Sequence, residues 1–161
     1  MDSTRRIAPT GHEDSQMQRP RKQRAVLTRK ALPSKDKSLL LAQLMRDRKA
    51  QDVVVLDLTK LVSFTDYFVI CTGRSDRQVQ AIAEYLEREL RGRKMRPRAV
   101  EGFSAARWVL MDFDDVVVHI FQKAVREFYD LEGLWSDAPR LELPPEPEDR
   151  DALEEEDMEE L

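Results

Sequence analysis

The sequence predicts an α/β domain built on a mixed sheet of about five strands flanked by helices. Apolar periodicity sets out the order helix, strand, strand, helix, strand, strand, strand, helix, which is neither a regular βαβ alternation nor an all-β pattern. Residues 52–58 carry Val53, Val54, Val55 and Leu56 in succession, a run that is apolar on both faces, as expected of a central strand covered on two sides. Two later strands flank Asp112-Phe113-Asp114-Asp115, a cluster of turn-forming residues, so that pair is antiparallel.

The elements follow in order. Ser34, just after Pro33, is a credible N-cap, and Leu39, Leu40, Leu41, Leu44 and Met45 form the buried stripe of a first helix reaching about Lys49. The strand over 52–58 comes next, then a second from Tyr67 to Thr72. Ser75 and Gln78 make a capping box for a second helix, whose Val79, Ile82, Ala83, Leu86 and Leu90 share one face. Gly92 and Pro97 close it, and a short extended piece around 98–101 ends at Gly102. Strands over 107–111 and 116–121 form the hairpin. If its turn is symmetric, Trp108 lies opposite His119 and Leu110 opposite Val117. A single aromatic-rich helix over 124–134 is the last ordered element, with Val125, Phe128, Tyr129, Leu131 and Leu134.

Charge divides the chain further. Residues 1–30 hold eight Lys/Arg against three Asp/Glu, residues 140–161 hold two against eleven, and residues 31–139 balance at seventeen each. The domain is therefore expected over 34–138, between a disordered basic arm (1–33) and a solvated acidic tail (139–161). A neutral core provides no broad field for coating nucleic acid. With one cysteine, Cys71, and two histidines, neither an internal disulfide nor a His/Cys metal cluster is available. No apolar run is long enough to cross a bilayer and no hydrophobic leader opens the chain, so a soluble, cytoplasmic protein without membrane attachment is expected.

Catalysis has no well-formed constellation. Cys71-Thr72-Gly73-Arg74-Ser75 joins a strand to a capped helix but has one glycine and no phosphate-loop pattern, so it reads as a plain turn. Asp112, Asp114 and Asp115 are placed for a divalent cation but equally suit a hairpin turn, the favoured reading. His119, with no nucleophile marked nearby, reads as a packing or interface residue. More distinctive is the density of large side chains late in the chain: Phe103, Trp108, Phe113, Phe121, Phe128, Tyr129 and Trp135. A domain of this size does not hide all of them easily, which favours a protein-binding face formed by the hairpin and the last helix.

The run from Thr65-Asp66-Tyr67-Phe68-Val69-Ile70-Cys71-Thr72-Gly73-Arg74-Ser75 through Arg77-Gln78-Val79-Gln80-Ala81-Ile82-Ala83 resembles the ribosome silencing factor family, also called Iojap. So do Glu101-Gly102, residues 108–112, residues 115–121 and the stretch Arg126-Glu127-Phe128-Tyr129-Asp130-Leu131-Glu132-Gly133-Leu134-Trp135. Together they span about 37–137. The resemblance implies a nucleotidyltransferase-like fold without established catalysis, needing no cofactor or metal, and a homodimer when free. It implies binding to the fourteenth protein of the large ribosomal subunit at the intersubunit face, obstructing the small subunit and lowering translation when nutrients are short. It carries the contact role to Trp108, Leu110, Asp112, His119, Phe121 and Tyr129. The charge of the basic arm leaves open a further contact with ribosomal RNA. The alternative from a different class is a nucleotidyltransferase-like enzyme using Gly73, Ser75, Asp112 and Asp114 with Mg²⁺.

Overall fold

The structure is a computed structural model that describes residues 32–146. The elements are α1 (Ser34–Asp47), β1 (Gln51–Asp57), β2 (Tyr67–Gly73), α2 (Asp76–Gly92), β3 (Ala99–Glu101), β4 (Trp108–Asp112), β5 (Val116–Gln122), α3 (Lys123–Tyr129) and α4 (Leu131–Leu134). The five strands form one mixed sheet in the order β1-β2-β5-β4-β3, with β2 and β5 its parallel pair and every other pair antiparallel. The expected class and strand number are those observed.

Period-two alternation divides the sheet into two faces. Val55, Val69, Cys71, Val109, Met111, Val118 and Ile120 face α1 and α2, and meet Leu41, Met45, Val79, Ile82, Leu86 and Leu90 in the larger core. Leu56, Phe68, Ile70 and Phe121 form a second core with Leu131 of α4. The α2 start is as the capping box predicts: Ser75 is the N-cap and its Oγ accepts from Gln78 N at 3.1 Å. Gln78 Oε1 reaches back to Arg74 N at 2.6 Å, one residue before the cap. α1 begins at Ser34 itself.

Three expectations change. First, β1 is at the end of the strand order, not central. Its apolar run reflects covering of both faces, by α1 on one side and by the second core on the other, and faces are independent of rank in the sheet. Second, the chain does not leave the domain at Pro139. Asp57 N donates to Pro139 O at 2.7 Å, Leu141 N donates to Val55 O at 2.9 Å, and Leu141 and Leu143 pack on the larger core. The segment pairs with the free edge of β1, where unpaired backbone groups would otherwise face water. Arg46 fastens it through Pro144 O and Glu146. The acidic composition of the tail concealed a Leu-x-Leu pair placed to bury every second residue. The basic arm to residue 31 and the tail from 147 lie outside the described residues.

Third, the last helix is two. Asp130 takes a left-handed conformation (φ 45°), ending α3 and capping α4 through its side chain, which accepts from Gly133 N at 3.1 Å. A Cβ at Gly133 would lie 2.1 Å from Asp130 Oδ2, so a side chain there would displace the capping carboxylate. The apolar spacing over 124–134 suits a helix throughout; the local capping bond decides against it.

A chain ending at Ala138 should therefore lose stability despite losing mostly charged residues. Two ladder bonds and two half-buried leucines together amount to about 2 kcal/mol, on the order of 8 °C in Tm for a domain of this size. Calorimetry of the shortened chain checks this, and an unchanged Tm would mean that the strap contributes nothing.

Candidate functional site

α3 and α4 cover only part of the second sheet face, over β1, β2 and the end of β5. The rest stays open. Its side chains lie in three cross-strand rows: Trp108, Phe121 and Thr72; Leu110, His119 and Ile70; Asp112, Val117 and Phe68. In each row the β4 residue is half-buried and the β5 and β2 residues lie deeper, Val117 excepted, which is also half-buried. Trp108, Leu110 and Val117 thus form an apolar centre with Asp112 at its rim.

The hairpin register differs from the symmetric expectation by two residues. Phe113 N donates to Val116 O at 2.9 Å, leaving a two-residue loop in which Asp114 has φ 78°, as the tight primed turns require. Trp108 consequently faces Phe121, Leu110 faces His119 and Asp112 faces Val117. A two-residue slip preserves the face, so the residues expected together remain together.

Tyr129 closes the upper end of the surface, 55% exposed, with its ring 5.0 Å from that of Trp108. Phe128, 80% exposed, stands edge-on to Tyr129 at 5.0 Å. Phe64, 57% exposed in the β1–β2 loop, lies 6.4 Å from Phe68, and Phe68 is 4.6 Å from His119. Gly102, at φ 80°, runs so close under Trp108 that a Cβ would meet the Trp108 carbonyl oxygen at 2.2 Å.

Of the six residues expected to make contacts, Trp108, Leu110, Asp112 and Tyr129 reach the surface. His119 and Phe121 do not; they are 3% and 0% exposed and serve as the bed on which the Trp108 indole rests, 4.8 Å above Phe121. Strand alternation places them on the correct face, but only the packing of α3 and Trp108 determines depth. Val117, Phe64 and Phe128 are the surface residues missing from the expected set. A lone phenylalanine in the polar run Ser63-Phe64-Thr65 was the available signal for one of them.

Trp108 Nε1 donates to His119 Nδ1 at 3.1 Å, which places the imidazole proton on Nε2. Nε2 itself has no partner among the described residues. Burial pushes the imidazole down to about 3 from its ordinary 6.5. The unfolded chain therefore holds more protons than the folded one between these values. The stability from neutral His119 is complete above about pH 6.5 and is lost as pH falls, by about 1.4 kcal/mol per unit. Urea unfolding between pH 6.5 and 5 should show this slope. His119→Gln, which keeps an acceptor for Trp108, should remove it; a slope unaltered by the substitution would assign it to other groups.

The residues of the alternative enzyme reading do not converge. Gly73 pairs with Gln122, five residues beyond the row that holds Asp112, or about 16 Å along the sheet. Ser75 Oγ is engaged as the cap, and a Cβ at Gly73 would meet Val79 at 2.7 Å. Arg98 pairs with Asp114 at 2.9 Å and Asp112 at 3.4 Å, and Lys37 with Asp115 at 2.6 Å. Among the described residues no group of three or more His, Cys, Asp or Glu is arranged to hold a metal ion. Cys71 is fully buried with its thiol pushed up to about 12, which keeps it unreactive. No described helix is long and apolar enough to cross a membrane.

Fold and site together define a class: a small α/β domain of one mixed sheet, two long helices on one face, and on the other two short helices beside an open aromatic surface. The family model described as "Ribosomal silencing factor during starvation" matches residues 31–161. The chain is 46% identical over 97 residues to the ribosomal silencing factor of Bacillus subtilis, covering 60% of this chain and 82% of that one. It is 35% identical over 100 residues to the mouse protein named for mitochondrial assembly of the ribosomal large subunit, covering 60% of this chain and 44% of that one. A crystal structure from Chromobacterium violaceum superposes with a TM-score of 0.64 at 34% identity, covering 72% of this chain and 93% of that one. The chain belongs to the ribosomal silencing factor family.

Proposed function

We propose that this protein seats on the large ribosomal subunit through its fourteenth protein, at the intersubunit face, and represses translation under nutrient limitation by physically obstructing the small subunit. The observation that carries the reading is the open face around Trp108, with an apolar centre, exposed Tyr129 and Phe128, and the Asp112 carboxylate at its rim. Such a surface is built for a protein partner, since aromatic anchors ringed by polar groups are the usual high-energy part of an interface. Membership in a family named for ribosomal silencing supports the setting, as does the name of the mouse relative.

The action is stoichiometric occupancy in the cytoplasm, without cofactor or turnover. In the free protein the same apolar face is the natural place for a homodimer contact. Sedimentation of the full chain with purified large subunits, small subunits and whole ribosomes tests the proposal. Co-migration is expected with the large subunit alone; equal recovery with the small subunit would sink it.

A further inference from the structure

We propose that the helical side of the domain, opposite the aromatic face, carries a second interaction surface, for unpaired RNA, centred on Tyr85. It rests on the proposed ribosomal setting for the identity of its partner, and on the following geometry for its existence.

The Arg48 guanidinium lies over the Tyr85 ring at 4.4 Å from its centroid, and that of Arg88 at 5.6 Å. One ring thus orders two cations. Gln78 draws the neighbouring backbone together, donating through Nε2 to Arg48 O at 3.3 Å and Lys49 O at 3.1 Å while accepting from Arg74 N. The loop after α1 is in this way stapled to the start of α2, bringing Arg48 and Arg74 to one place. On α2, Arg77 and Arg88 are eleven residues apart, three turns, so they share the sector that holds Tyr85 and run about 16 Å along it.

What distinguishes these four arginines is their charge balance. All are exposed and none has a carboxylate at ion-pair distance among the described residues. The cations at the far end of the same helix are neutralised, Arg91 by Glu87 at 3.4 Å and Arg93 by Glu89 at 3.5 Å. Three carboxylates lie close by and offset part of this charge: Asp47 and Asp76, which accept from the neutral amides of Gln43 at 3.0 Å and Gln122 at 2.5 Å, and Glu84, exposed on the same sector of α2. The sheet-side acids are held by Arg98 and Lys37. In a domain of zero formal charge this sector thus gathers four exposed arginines without an ion pair, two of them ordered on one aromatic ring, against three carboxylates.

Ordered guanidinium planes suit RNA for two reasons: their forked donors match phosphate oxygens, and their faces stack on unpaired bases. A duplex reader would need a wider cationic track than this single helix sector offers.

The test is fluorescence anisotropy of the full chain with a short labelled oligouridylate, over a range of salt. Arg48→Gln/Arg88→Gln should weaken binding about tenfold and reduce the salt slope by about 1.4, the value for two phosphate contacts on a single strand. Arg91→Gln/Arg93→Gln should change neither, because those charges are already paired. Trp108→Ala should keep RNA binding while losing the large subunit, so failure of the proposed ribosomal seat and failure of this surface show up separately. Wild-type affinity in the Arg48/Arg88 variant would overturn the proposal. Equal competition by polyglutamate would also overturn it, in favour of an acidic protein partner.

Discussion

Trp108→Ala is expected to abolish binding to the large subunit at working concentrations while leaving the domain folded. The indole is half-buried on a bed of Phe121 and His119 with Tyr129 against it, so part of its surface already faces outward, ready for a partner. Truncating an aromatic anchor of this kind costs about 2 kcal/mol or more, roughly thirtyfold in affinity. Tyr129→Ala, more exposed and less involved in the fold, should weaken binding in the same direction. The substitution at 108 also strands the His119 Nδ1 acceptor, so a thermal melt is the required control. A folded Trp108→Ala protein that still blocks subunit joining would refute the contact role, and Cys71→Ser and Asp114→Asn should leave binding largely intact.

Arg126→Met should produce the largest loss of stability of any single change described. Arg126 is 9% exposed and joins three parts of the fold. Its Nη1 donates to Asp52 O and to Thr72 Oγ1, both at 2.8 Å, and its Nε and Nη2 form a two-pronged pair with Glu132, both at 2.9 Å. One side chain thus ties the bulged start of β1, the end of β2 and the first turn of α4 to α3. Hydrogen bonding from Arg126 holds the Glu132 carboxyl below the usual carboxylate range. Removing the guanidinium leaves a buried hydroxyl and a carbonyl without their partner and the half-buried carboxylate with only Arg140, at 3.8 Å, a loss on the order of 3 kcal/mol. Because α3 also presents Phe128 and Tyr129, affinity for the large subunit should fall with it. Denaturant unfolding checks the first effect. Arg126→Met/Glu132→Met should recover part of the loss, since the half-buried carboxylate that loses its two-pronged partner goes with it; a double variant no better than the single one would show that Glu132 is not the group left stranded.

The α/β class, the five strands and the α2 capping box were written in local signals: periodicity of two or 3.6, and Ser75 three residues before Gln78. The face on which Trp108, Leu110, His119 and Phe121 lie was also legible, because alternation along a strand is a local property that survives a two-residue error in register. Depth was not. His119 and Trp108 have the same parity, yet one is buried and the other half-exposed, and the difference comes from where α3 and α4 happen to lie.

The break at Asp130 was hidden because the apolar spacing is correct for a continuous helix; one carboxylate accepting from Gly133 N outweighs it. The strap over 139–146 was hidden for the opposite reason: its composition is that of a solvated tail, and only an unpaired β1 edge some eighty residues upstream gives Leu141 a ladder bond and a place to bury its side chain. Local signals settle the five strands, the first two helices and the face to which each strand side chain points, since all of these follow from interactions within a few residues. Which of those side chains are covered, which arginines form no ion pair and which edge the tail closes come from packing, since each depends on groups brought together from distant parts of the chain.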